Sequence, residues 1–152
     1  MTPLPEPVSL AAGVELSEQA YVIGGTDGMA AQAGVWRMPT RGEGVGEWVA
    51  APALEIARAQ ATAATHGGSI YLFGGENDGL PLNLVERLQD GGDAWERMAP
   101  MPSTRFGASS ATVGDHIFVM GGKTNGGMVL TNVERYTPAS NQWGNEFAPM
   151  PR

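Results

Sequence analysis

An all-β fold of tandem four-stranded units is predicted for this 152-residue chain, and three observations carry the prediction. A hydrophobic segment ends in a glycine pair three times, at Gly24-Gly25, Gly74-Gly75 and Gly121-Gly122, closing AYVIGG, IYLFGG and IFVMGG. A tryptophan follows each pair after a similar gap, at Trp48, Trp95 and Trp143. The resulting period of roughly 47–50 residues, filled with short strands and turn residues, is that of propeller blades.

Each element of the repeat has a local reason. A run of small residues (Ala61, Ala63, Ala64; Gly107, Ala108, Ser109, Ser110) suits an innermost strand, where counterparts from other blades crowd the axis. A hairpin turn leads to the glycine-pair strand, whose Tyr71, Phe73, Ile117, Phe118 and Val119 carry the apolar load between blades. The glycine pair admits dihedrals and close backbone approach that a Cβ resists. Polar loops follow (TDGMAAQAG, ENDGLPLNL, KTNGGMVLTN), and then third strands begin at Val35, Val85 and Val133. Glu86, Arg87, Glu134 and Arg135 are read there as charges of outer strands. The tryptophan strand comes last and runs into a proline-rich corner, APALEIAR or APMPSTR.

This pattern resembles the kelch repeat family. The residues that carry the resemblance are the arginine after a Pro-rich corner, the aromatic-X-X-Gly-Gly strand end, the Val-Glu-Arg-Tyr-like third strand and the fourth-strand tryptophan. The second and third repeats keep all of them. In the first, Val8 stands where Arg58 and Arg105 stand, and Trp36 stands where Glu86 and Glu134 stand. The resemblance implies a kelch-type β-propeller with three four-stranded blades, at approximately 1–50, 51–99 and 100–152, forming a single domain over 1–152.

Three blades do not close a ring. The first and last would bare apolar faces of a size rarely left on soluble monomers. Two chains joined head to tail would give six blades under twofold symmetry, with each contact on the order of 1,600 Å². The chain is therefore expected to partner itself as a homodimer. Three chains in a nine-bladed ring are a further closure, and an engineered half-propeller or a fragment excised from a longer propeller is the alternative origin.

Composition narrows the function classes. Net charge is −7, with nine Lys and Arg spread along the repeats, which speaks against a nucleic-acid partner. No run of 18 apolar residues predicts a membrane span, and Pro3, Pro5 and Pro7 argue against a signal peptide, so a cytoplasmic location is expected. Cysteine is absent, which removes disulfide and thiol chemistry and the cysteine-tyrosine crosslink of kelch-type copper oxidases. His66 and His116 fall at hairpin turns without ligand spacing, and GGTDG and GGENDG lack the Lys-Ser/Thr of a phosphate loop. No metal, cofactor or catalytic set is predicted.

Two repeated sets remain as candidate ligand-binding residues. The corner arginines Arg58, Arg105 and, shifted by a residue or two, Arg152 are implied by the resemblance to open the innermost strand near the channel. Their guanidinium groups would either hold an acidic ligand bidentately or bond the neighbouring blade. The loop set is Asp27, Asn77, Asp78, Lys123 and Asn125, with Met29, Leu80 and Met128 expected to pack under the loops. Two function classes follow. One is a non-catalytic binding or scaffold module whose loop face takes a peptide or small acidic ligand. The other, by resemblance to bacterial kelch-type sialic acid mutarotases, is a sugar isomerase using the arginines and a loop acid such as Glu76.

Overall fold

The structure, a computed structural model, describes residues 2–144 and 150–151. Three four-stranded antiparallel sheets follow one another along the chain. The first comprises β1 (Ala12–Leu16), β2 (Gln19–Ile23), β3 (Val35–Pro39) and β4 (Val49–Ala50), in that order. In the middle sheet, β5 (Thr62–His66) pairs with β6 (Ser69–Phe73). A short ribbon of β7 (Glu76–Asn77) and β8 (Leu80–Pro81) follows, inside the segment expected to be a loop. The middle sheet is completed by β9 (Val85–Gln89) and β10 (Glu96–Arg97). The third sheet runs β11 (Ser109–Val113), β12 (His116–Met120), β13 (Val133–Thr137), β14 (Gln142–Gly144).

The innermost strands lie side by side: β5 neighbours both β1 and β11. Small side chains let them approach. Thr62 Oγ1 and Ser110 Oγ are 2.8 Å apart, and Thr112 donates to the Thr65 carbonyl across the same seam. Two apolar clusters fill the space between sheets. Tyr21, Ile23, Val35 and Leu54 meet Ile70, Leu72 and Leu88, while Tyr71, Phe73, Val85 and Met101 meet Ile117, Val119 and Tyr136. Tyr136 lies edge-on to Phe73, with ring centroids 5.9 Å apart.

Register explains which residues go where. In the middle sheet Leu72, Ala63 and Glu86 are opposite one another and share the face toward the first sheet. Phe73, Thr62 and Val85 share the other face. Since a neighbour covers both faces, every residue of β6 is buried. In β2 and β12 burial is uneven: Ala20 and Val22, like His116, Phe118 and Met120, are half-buried, while Tyr21, Ile23, Ile117 and Val119 are buried.

Tryptophans fasten the second and third sheets to the corners that precede them. Trp95 Nε1 donates to the Pro52 carbonyl at 2.7 Å, and Trp143 Nε1 to the Ala99 carbonyl at 2.9 Å. Among the described residues no helix is long and apolar enough to cross a membrane.

Candidate functional site

The corner arginines are locked in place by the fold. The Arg58 N–H donates to the Gln32 carbonyl and its own carbonyl accepts from Gly25, so its backbone belongs to the first sheet. Its side chain crosses to the middle sheet, where Nη1 donates to the Gly74 and Leu84 carbonyls at 3.3 Å each and Nη2 pairs with the Glu86 carboxylate. Arg105 repeats the arrangement one sheet later. Its backbone bonds Leu82 and Gly75, its Nη1 donates to the Gly121 carbonyl at 2.9 Å, and its Nη2 lies 2.6 Å from Glu134 Oε1.

Arg58 is 0% exposed, and Arg105, Glu86 and Glu134 are 1% exposed each. Burial pulls the Arg58 guanidinium down to about 10 against the opposing pull of Glu86, so it stays ionised at neutral pH. The Glu86 carboxyl is raised by the same burial, with Arg58 opposing. Charges at this depth are paired with each other and with backbone carbonyls, and an external ligand has no path to them. The expected ligand-holding role of Arg58 and Arg105 is therefore revised to that of a rivet between successive sheets. Glu86 and Glu134, read as outer-strand charges, are likewise inside. Arg152 lies outside the described residues.

The loop set lies largely at the surface. Each corner pairs with the start of its loop through isolated bridges, Ser9 with Thr26, Ala59 with Glu76 and Phe106 with Lys123, which brings the three loops out alongside the corners. Asp27, Asp78, Lys123 and Asn125 are exposed and Asn77 is half-buried. Asp27 Oδ1 accepts the Met29 and Ala30 N–H groups at 2.8 and 2.9 Å, which holds its carboxyl below the usual range. Glu76 is committed locally, accepting from Gln60 Nε2 at 2.8 Å.

Exposed apolar side chains crown these loops. Met29 is 96% exposed, Leu80 63%, Met128 63% and Val129 67%, contrary to the expectation that such residues pack beneath. In the β7–β8 ribbon Leu80 is exposed while Pro81 is buried, and Leu82, Leu84 and Leu130, further from the tips, are half-buried. A cleft of about 150 Å³ between the first two loops is lined by Met29, Ala59, Glu76 and Asp78. A larger cavity, of about 300 Å³, opens beside the first sheet between Glu6, Val8, Gly24, Asp27, Gly34 and Trp36. Neither place unites a shifted carboxyl with an arginine.

Comparison with known proteins agrees with this architecture. A family model described as "Kelch motif" matches residues 57–102 and 104–143. Beta-scruin of Limulus polyphemus is 33% identical over 107 residues, covering 64% of this chain and 11% of that protein. Kelch-like protein 35 of Mus musculus is 27% identical over 139 residues, which is 91% of this chain and 22% of its own length. The solved structure of YjhT superposes with a TM-score of 0.81 at 18% identity, covering 97% of this chain and 53% of that one. The chain thus spans between a tenth and a quarter of these two curated relatives.

Proposed function

As the chain belongs to the kelch-repeat family, we propose that it is a non-catalytic binding module, a half-propeller that pairs with a second copy to close a six-bladed ring and presents its loop face to a peptide. The observation that carries ring closure is the uneven burial of β2 and β12 beside the complete burial of β6. At the seams inside the chain, Tyr21, Ile23 and Val35 of one face, or Tyr71, Phe73 and Val85, are covered by the next sheet. The third sheet carries Phe118, Met120 and Val133 at the same positions, half-buried. On the other side, Ala20 and Val22 hold the positions of Ile70 and Leu72, and are half-buried too. Joining these two faces head to tail repeats the internal seam and leaves no apolar face over.

The loop face favours a peptide over an acidic ligand. With Arg58 and Arg105 enclosed, Lys123 is the one basic residue of the candidate loop set, against Asp27 and Asp78. Exposed Met29, Leu80 and Met128 supply adaptable apolar contact of the kind used on peptide-binding surfaces. The sugar-isomerase reading loses its carboxylate-holding arginines, and the fragment origin is separated from self-assembly by mass. The test is a charge placed on each surface. Val22→Asp should reduce a two-chain particle to folded single chains, whereas Met128→Asp should leave its mass unchanged. An unchanged mass for Val22→Asp would remove the closure proposed here.

A further inference from the structure

The 300 Å³ cavity beside the first sheet has a counterpart in the rest of the chain, and there the counterpart is filled. In the middle sheet, Arg58 donates to the carbonyls of Gly74 and Leu84. In the third sheet, Arg105 donates to those of Gly121 and Asn132. Each pair of residues is joined by one backbone hydrogen bond, Gly74 N–H to Leu84 and Gly121 N–H to Asn132. The same bond in the first sheet runs from Gly24 to Gly34, and Gly24 and Gly34 line the cavity. Val8, at the place of the two arginines, is too short to reach across it.

The wall opposite has changed together with the missing arginine. Where Glu86 and Glu134 receive a guanidinium stands Trp36, and Glu6 and Asp27 also line the cavity. The two glycines whose counterparts accept from arginine elsewhere thus share a cavity with an indole and two acidic residues. Carbonyl acceptors, an indole and carboxylates together suit a planar, weakly hydrated cation that donates in its plane and stacks on its face.

We infer that the cavity formed by Val8, Gly24, Gly34 and Trp36 is a binding site for the guanidinium of an arginine side chain presented by another molecule. The cation sits where Arg58 and Arg105 sit in the other sheets, with Gly24 and Gly34 accepting its hydrogen bonds and Trp36 replacing the carboxylate partner. The site is made wholly of residues from one chain, and Trp36 pairs with Val22, so it lies on the face that ring closure would cover and an incoming arginine side chain would compete with closure.

Calorimetric titration with arginine amide, lysine amide and the neutral isostere citrulline amide tests this. Arginine amide should bind, lysine amide more weakly, and citrulline amide weaker than arginine amide by roughly tenfold or more, since the charge-assisted bonds are lost. Val8→Arg, which supplies the chain's own guanidinium, should abolish the binding while preserving the β-sheet circular dichroism. Trp36→Leu, which keeps an apolar wall, should weaken it and serves as the deciding variant if Val8→Arg does not fold. Equal binding of arginine and citrulline amides, no binding of arginine amide, or undiminished binding in the deciding folded variant would overturn the assignment. Light scattering run on the same samples gives the mass of the titrated particle: arginine amide should bind single chains directly and shift a two-chain particle toward single chains, so closure and failure of the site are told apart.

Discussion

Arg58 shows how a repeated residue can mislead when its partner is far away in sequence. Its repetition with Arg105 was legible, and so was the repetition of Glu86 with Glu134. Their pairing was not, because it depends on a corner fixed to one sheet while its side chain enters the next. The first repeat offered the clue: Val8 and Trp36 depart from the pattern at both members of the pair. Removing one partner leaves a buried charge alone, so Arg58→Ala should cost about 3–5 kcal/mol in denaturant unfolding. The double change Arg58→Val with Glu86→Trp, which copies the first repeat, should cost less than Arg58→Ala because no charge is stranded. Tyr136 gives a pH signature. Burial pushes its phenol from 10.0 up to about 12, with Tyr71 adding to the shift and Arg87 opposing it. The folded form therefore holds its proton more tightly. The associated stability, on the order of 2–3 kcal/mol, is fully present below pH 10 and is lost as pH rises from about 10 to about 12. Tyr136→Phe should flatten that alkaline fall while costing about 1 kcal/mol at neutral pH through the lost hydrogen bond to Asn141.

Among the elements, the glycine-pair strands were the most legible, because a positive φ beside a close backbone contact leaves almost no other residue. Gly74 has φ 60°, and a Cβ there would run into the Arg105 carbonyl oxygen and come within 2.9 Å of Met101 Cε. Gly121 has φ 65°, and among the described residues its nearest obstacle is Met150 Cε at 3.0 Å, the end of a flexible side chain. Both alanine variants carry the left-handed strain of about 1–2 kcal/mol, and Gly74→Ala adds a backbone clash that the described residues do not give Gly121→Ala. Comparative thermal melts should rank Gly74→Ala well below Gly121→Ala, and equal melting temperatures would contradict the geometry. The loops were less legible than the strands. Asp-Gly and Asn-Gly steps announce turns, and Asp78 at φ 51° with Gly79 at φ 74° forms one. Nothing in those steps tells whether a neighbouring methionine points in or out. That is decided by the packing around the tip, and Met29 and Met128 stay exposed.

For the molecule as a whole, the repeat predicted sheets that each need a neighbour on both faces. The middle sheet has two, and its Ile70, Leu72 and Phe73 are exposed by 1% or less. The outer sheets have one each, and the apolar positions facing away from it, Val22 on one side and Met120 on the other, are half-buried. The central claim is that a second copy supplies the other half, and the solution mass of the 152-residue chain across a concentration series tests it most directly. The account predicts a stable particle of twice 15.9 kDa by light scattering, whereas a folded, soluble particle of 15.9 kDa at every concentration would contradict it.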